Sequence, residues 1–79
     1  MKQSDSSIVK SGRRVATLLA SNGMSQAELA QSLGQSNASI SRKISGELKF
    51  SSTDYLTMAD LFHVSVDVLM GRQPLEVVS

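Results

Sequence analysis

Two short helical segments separated by a glycine turn constrain the fold of this chain more than any other feature. Ser25 and Glu28 stand in the pattern of a capping box, in which the hydroxyl and the carboxylate bind first-turn amides reciprocally. Gly34 ends this helix, because glycine readily takes the left-handed conformation of a helix C-cap. Ser36 is a good N-cap for a second helix, which stops at Gly46. The spacing therefore predicts a helix-turn-helix, with helices over residues 26–33 and 37–45.

Helical signals also account for the rest of the chain. Apolar residues recur at helical spacing from Ile8 until Gly23, which can take a C-cap conformation. Ser51 and Asp54 repeat the capping-box pattern before a segment that is apolar around most of its circumference, and we expect it to be the central core helix. Its apolar residues are Tyr55, Leu56, Met58, Ala59, Leu61 and Phe62. The sequence thus predicts an all-α fold of five helices, over approximately residues 8–22, 26–33, 37–45, 52–62 and 66–70.

The two helices of the helix-turn-helix differ in apolar content. The first has an inward stripe of Ala27, Leu29, Ala30 and Leu33. The second has only Ala38, Ile40 and Ile44, and its remaining residues are polar or basic. A helix that buries so little stabilises a core poorly. It is better suited to contact with an outside partner.

The composition argues against several classes of function. The chain has 79 residues, enough for one domain. It has no cysteine, and His63 is its one histidine, so we expect no metal site. No histidine–carboxylate pair at useful spacing and no glycine-rich phosphate loop is present, so we predict no enzyme. We expect no cofactor, no small-molecule ligand, no signal peptide and no membrane span.

Charge is uneven along the chain, although the net charge is only +1. Residues 8–49 carry Lys10, Arg13, Arg14, Arg42, Lys43 and Lys49 against Glu28 and Glu47. Residues 50–79 carry Arg72 against Asp54, Asp60, Asp67 and Glu76. Such asymmetry gives one end a positive potential that attracts phosphate. Ordinary surface charge is the alternative interpretation.

The motif residues resemble those of the lambda-type phage repressor and Cro family, also called the xenobiotic-response-element family. The resemblance rests on Gln26–Gly34, on Ser36, on Ile40-Ser41-Arg42 with Gly46, and on the V-S-x-D-x-L-x-G ending of Val64–Gly71. It implies a five-helix lambda-repressor-like DNA-binding domain over residues 8–71. A flexible N-terminal arm over residues 1–7 and a C-terminal tail over residues 72–79 flank this domain.

The resemblance also implies which residues contact DNA when the third helix enters the major groove. The implied base contacts are Asn37, Ala38, Ser41 and Arg42. Asparagine can bond an adenine edge, arginine a guanine edge, and an alanine methyl can pack on a thymine methyl. The implied phosphate contacts are Ser25, Gln26, Ser36, Ser39, Lys43 and Lys49. Each of these residues also has a plainer interpretation, as a helix cap or as solvated surface.

The implied function is sequence-specific binding of double-stranded DNA by a transcriptional regulator, a repressor of the phage or prophage Cro-like type. Such a protein would work in the bacterial cytoplasm, associated with the nucleoid. So small a unit normally binds a palindromic operator as a homodimer, and we interpret the tail, including Leu75–Val78, as the dimer contact. The alternative is a protein-interaction module, such as an antitoxin or adaptor, which the polar third helix disfavours.

Several positions depart from the family pattern. The position after the turn glycine is usually aliphatic but is Gln35 here, and the third helix usually buries a residue where this chain has Lys43. The family often places a buried ion pair at the positions of Leu19 and Ile44, and we predict that these two apolar residues touch directly instead. An inward Ile44 would rotate the third helix slightly, which leaves the roles of Ser41 and Lys43 open. His63 replaces a usual glycine, and we expect it to be left-handed.

Overall fold

The computed structural model describes residues 6–74, with side chains described from Val9 onward. These residues form five helices: α1 (Ser6–Ser21), α2 (Gln26–Leu33), α3 (Asn37–Ser45), α4 (Ser52–Phe62) and α5 (Val66–Leu69). The predicted all-α, five-helix fold is confirmed, and α2, α3 and α4 have the predicted bounds. The first helix begins two residues earlier than predicted, within the proposed arm, and both α1 and α5 end one residue earlier. No helix in this part of the chain has the length and apolarity needed to cross a bilayer.

The helix ends form through the local signals that the sequence contains. The Ser25 hydroxyl accepts a hydrogen bond from the Glu28 amide at 3.1 Å, and the Glu28 carboxylate accepts one from the Ser25 amide at 2.8 Å. Gly34 and Gly46 end α2 and α3 in the left-handed conformation, with φ of 67° and 94°. His63 ends α4 with φ of 58°, which confirms its predicted conformation. These caps confine the connection between α2 and α3 to three residues, so α2 fixes where α3 begins.

The core lies between the helices. Its buried apolar residues are Val15, Leu18, Leu19, Leu29, Ala30, Ile40, Phe50, Met58, Phe62 and Leu69. Of these, α1 contributes three and α4 contributes Met58 and Phe62, while Tyr55, Ala59 and Leu61 of α4 pack partly buried against the same cluster. That α4 is the central core helix stays a prediction.

Two of the apolar residues on which the predictions for α2 and α4 rest are exposed. Leu56 is 62% exposed because it lies two residues before Met58, on the opposite side of α4. Ala27 is also exposed, since it lies roughly 120° around α2 from Leu33. Apolar composition alone therefore overstated the inward surface of both helices.

A glycine allows α1 and α3 to approach closely. Gly12 is buried, and a Cβ atom at this position would overlap the carbonyl oxygen of Ile44. Ile44 itself is half-buried and packs against the core cluster that includes Leu19. The predicted direct contact between Leu19 and Ile44 stays a prediction. The backbone contact at Gly12 fixes the distance between α1 and the last turn of α3.

Candidate nucleic-acid interface

The third helix, α3, has two faces of different chemistry. We call the exposed residues its outer face: Asn37, Ala38, Ser41, Arg42 and Ser45. We call the covered or partly covered residues its inner face: Ser39, Ile40, Lys43 and Ile44. The four residues predicted to contact bases therefore share the outer face, because α-helical periodicity brings positions 37, 38, 41 and 42 to one side.

The residues predicted to contact phosphate are placed less uniformly. Ser25, Gln26, Ser36 and Lys49 are exposed. The Ser25 and Ser36 hydroxyls accept hydrogen bonds from the third amide of α2 and α3 respectively, both at 3.1 Å. Gln26 is the first residue of α2, where backbone amides have no intrahelical partner and the helix dipole is positive. These surface positions suit an anion, although the two hydroxyls also serve as caps.

Lys43 is placed differently from the other predicted phosphate contacts. Its ammonium group donates to the Asp54 carboxylate at 2.6 Å and to the Gln35 side-chain oxygen at 2.8 Å. The Lys43 and Asp54 side chains are only 13% and 5% exposed. The Gln35 amide completes the arrangement by donating to the other Asp54 oxygen at 2.6 Å. We call Gln35, Lys43 and Asp54 the polar cluster. To reach a phosphate, Lys43 would have to leave the buried Asp54 carboxylate without its cation.

The electrostatics of Asp54 favour its charged form. Burial raises the pKa of Asp54. Hydrogen bonds from Lys43, from the Ser51 amide and from Gln35, together with the Lys43 charge, lower it by more than burial raises it. The net pKa lies below the ordinary value of an aspartate.

Ser39, another predicted phosphate contact, is half-buried, and its hydroxyl donates to the Gln35 side-chain oxygen at 3.3 Å. Its hydroxyl is thus directed to the polar cluster.

The positively charged end predicted from the sequence has fewer cations available at the surface of the folded chain than the sequence count suggests. Lys43 is neutralised by Asp54, which belongs to the acidic half of the sequence. Arg14 turns toward α5, where it donates to the carbonyl oxygens of Val68 at 3.0 Å and Gln73 at 2.7 Å. Arg42 lies 3.5 Å from Glu47 in an exposed pair. The cations that stay at the surface in the described part include Lys10, Arg13, Arg42 and Lys49.

The sequence contains a signal for the polar cluster that residue-by-residue interpretation misses. Gln35 lies where the family pattern is usually aliphatic, and Lys43 lies where it usually buries a residue. Taken separately, each is only a departure from the pattern. Their chemistry is complementary, since Lys43 donates to the Gln35 side-chain oxygen and both side chains donate to the Asp54 carboxylate. Considered together, the two departures therefore point to a polar contact between these side chains.

Comparison with known proteins agrees with this geometry. The model of the helix-turn-helix family matches residues 15–69, which run from the middle of α1 to the end of α5. No curated protein and no solved structure matches the chain. The family match includes α2, the turn and α3 in full, and therefore the whole outer face.

Proposed function

The chain belongs to the lambda repressor-like, Cro-type helix-turn-helix family, which is a DNA-binding family, and from that premise we propose that it is a transcriptional repressor that reads a specific operator. The observation that carries this proposal is the outer face of α3. Every side chain on that face is small or polar and open to solvent. A helix of this kind fits the major groove of DNA, where base edges present hydrogen-bond donors and acceptors.

The outer face offers two side chains that can distinguish bases strongly. Asn37 in the first turn of α3 can bond the N6 and N7 positions of adenine, and Arg42 near its end can bond O6 and N7 of guanine. The Ala38 methyl can contact a thymine methyl, and Ser41 can bond either a donor or an acceptor. Arg42 is available for this role because its pair with Glu47 is exposed, and exposed ion pairs are weak.

We assign phosphate contacts to Ser25, Gln26, Ser36 and Lys49. The first three lie at the starts of α2 and α3, where free amides and the helix dipole favour an anion. Lys49 is an exposed cation shortly after α3. Contacts of this kind set the position of a protein on the duplex without reading its sequence. Ser39 and Lys43 are left out because their polar atoms are directed to the polar cluster.

A protein-interaction role, as in an antitoxin or adaptor, fits the outer face less well. The core of a protein–protein interface is depleted in charged residues and enriched in aromatic ones. The outer face carries the charged Arg42, has no aromatic residue, and has Ala38 as its one apolar residue. DNA is therefore the better partner for this surface.

We further propose that two copies bind a palindromic operator, with half-sites about 34 Å apart. A groove of about 480 Å³ lies on the molecule. It is lined by Phe50, Tyr55, Leu56, Val66 and Met70 and by the polar residues Ser11, Lys49 and Ser52. Leu56 is an exposed apolar residue at this groove. A second copy that covers the apolar side chains of this groove must leave the Lys49 ammonium group exposed, since we assign it to phosphate. The tail residues Leu75–Val78, which we predicted as a dimer contact, lie outside the described residues.

Selection of binding sites from a random duplex pool tests the DNA proposal. Wild type and Arg42→Ala should be compared at fixed salt, with Arg72→Ala as a control that removes an exposed arginine after α5. We expect wild type to enrich a two-fold symmetric sequence, and Arg42→Ala to lose preference at one base position at a cost of ~1–3 kcal/mol. Arg72→Ala should keep the preference. Absence of any enrichment with wild type would contradict the proposal and favour a protein partner.

Sedimentation and operator affinity test the dimer. Leu56→Asp places a charge on the groove at an exposed position, so the fold should persist while self-association and operator affinity decrease. A chain ending at Pro74 tests the tail and keeps the bond between Arg14 and the Gln73 carbonyl. If both variants sediment and bind as wild type does, neither surface forms the dimer.

A further inference from the structure

Asp54 binds side chains at both ends of the recognition helix. Gln35, which donates to one carboxylate oxygen, immediately precedes the N-cap of α3, and Lys43, which donates to the other, lies in its last turn. We propose that Gln35, Lys43 and Asp54 are positioning residues for DNA reading, which hold α3 in one orientation against α4 and so set where its outer face lies. This inference rests on the proposed function.

The carboxylate at the centre of the polar cluster has little freedom to move. Asp54 lies in the first turn of α4, where its oxygen also accepts a hydrogen bond from the Ser51 amide at 3.0 Å. Its own amide donates to the Ser51 hydroxyl at 3.1 Å. The residue is 3% exposed. The N-cap of α4 therefore fixes the point to which both ends of α3 are attached.

Few apolar side chains of α3 enter the core, although its backbone approaches α1 closely at Gly12. Ile40 is its fully buried residue, Ile44 is half-buried, and the remaining apolar residue, Ala38, is exposed. Apolar contact is non-directional and permits a helix to rotate or slide, whereas hydrogen bonds require defined distances and angles. The polar cluster thus adds a directional restraint toward α4, besides the close approach of α1 and α3 at Gly12.

Reading bases demands such a restraint. A bidentate bond from Asn37 or Arg42 to a base requires donor–acceptor distances of about 2.7–3.2 Å. A small rotation of α3 would move both side chains away from that geometry together. Buried ion pairs can often be replaced by apolar residues without loss of stability. The polar cluster can therefore contribute to DNA reading beyond any contribution to stability.

The double variant Lys43→Met with Asp54→Asn tests this proposal. It removes both buried charges, leaves the net charge unchanged and keeps an amide that can cap α4 and bond Gln35. Affinity should be measured over a salt series for the operator selected by wild type and for a scrambled duplex, at a temperature where all proteins are folded. We expect the ratio of the two affinities to fall at least tenfold, while the slope of log affinity against log salt stays unchanged.

Lys49→Met is the matched control, since it removes an exposed lysine near the same helix. Each lost phosphate contact lowers the salt slope by about 0.9, so Lys49→Met should lower the slope and keep the affinity ratio. A slope for the double variant as low as that of Lys49→Met would show that Lys43 contacts phosphate and would overturn the proposal. An unchanged ratio would overturn it as well, because the cluster would then be merely structural.

Gln35→Met provides a second test if the double variant fails to fold. It removes the amide bridge without creating or deleting a charge, and we expect a smaller fall in the affinity ratio at an unchanged salt slope. An unchanged ratio for this variant would also contradict the proposal. Failure of the proposed function is distinguishable, because wild type itself would then show no preference for any duplex, which would overturn both proposals before a variant is compared.

Discussion

Arg42 and Lys43 are adjacent cations on α3 with opposite surroundings. Arg42, on the outer face, lies 3.5 Å from Glu47, and the two side chains are 64% and 68% exposed. Lys43, on the inner face, lies 2.6 Å from Asp54, with exposures of 13% and 5%. One residue of helix turns a side chain by about 100°, which is enough to separate a side chain available to a partner from one committed to the fold.

The difference in burial implies a difference in energy. Exposed ion pairs contribute about 0–1 kcal/mol, because water and salt screen them and two long side chains must be ordered. Removing one partner of a buried pair costs about 3–5 kcal/mol, because the other charge stays buried without compensation. Arg42 can therefore exchange Glu47 for a ligand at small cost, whereas Lys43 cannot leave Asp54. Charge counting along a sequence treats these two residues as equivalent.

Lys43→Met should produce the largest effect. We expect the free energy of unfolding to decrease by about 3 kcal/mol at neutral pH, since Asp54 keeps its charge in a buried position. Arg42→Met is the matched control, and it should change the free energy by less than about 0.5 kcal/mol. Urea unfolding of both variants measures the difference. Equal effects would show that the inner and outer faces do not differ energetically.

Gly12→Ala should disturb the inner face from the side of α1. The added methyl group would overlap the carbonyl oxygen of Ile44, so α1 and α3 must separate. We expect a loss of about 2–3 kcal/mol, in the range of an overpacked core, and a melting temperature lower by ~10 °C or more. Thr17→Ala, at an exposed position of the same helix, should leave the melt nearly unchanged. A wild-type melt for Gly12→Ala would refute the close approach.

Acid should reduce the stabilisation that the polar cluster provides, because Asp54 becomes protonated. The pKa of Asp54 is lower in the folded chain than its ordinary value, so its stabilisation is fully present above the unfolded pKa of about 3.9 and is lost as pH falls through the folded pKa. Asp54→Asn should be less stable at neutral pH and should lose less stability on acidification. Asp60→Asn, which changes an exposed aspartate, should retain the wild-type pH dependence. Urea unfolding between pH 6 and 2.5 measures both; parallel curves for wild type and Asp54→Asn would exclude this role.

The sequence predicted the features of this fold that depend on local geometry. Ser25 with Glu28, Gly34 and Gly46 each act within a few residues of chain, so the bounds of α2 and α3 followed from reading them. The left-handed conformation of His63 was instead expected from the resemblance, since the family usually has glycine there. The caps of α2 and α3 do not depend on which helices pack together.

The polar cluster depends on three elements and could not be derived in the same way. Gln35, Lys43 and Asp54 meet because the turn, α3 and α4 pack together, and no local pattern encodes that packing. One part is nonetheless readable from the sequence, since Lys43 follows Ile40 by three residues and so shares its side of the helix. Helical periodicity alone therefore separates Lys43 from Arg42, even though it does not identify Asp54 as the partner.

Glu47→Gln should give the smallest effect. It tests whether Arg42 is available to bind DNA. The turn at Gly46 places Glu47 beside Arg42, and the Glu47 amide donates to the Arg42 carbonyl at 2.9 Å. Removing the carboxylate should leave stability within about 0.5 kcal/mol of wild type. It should raise affinity for operator and scrambled DNA by about threefold, or ~0.6 kcal/mol, because a charge that competes with phosphate is removed. Asp60→Asn, which makes the same change in net charge on α4, should raise affinity less. Weaker operator binding by Glu47→Gln would instead indicate that the carboxylate itself reads a base, since a glutamate can accept a hydrogen bond from the cytosine amino group.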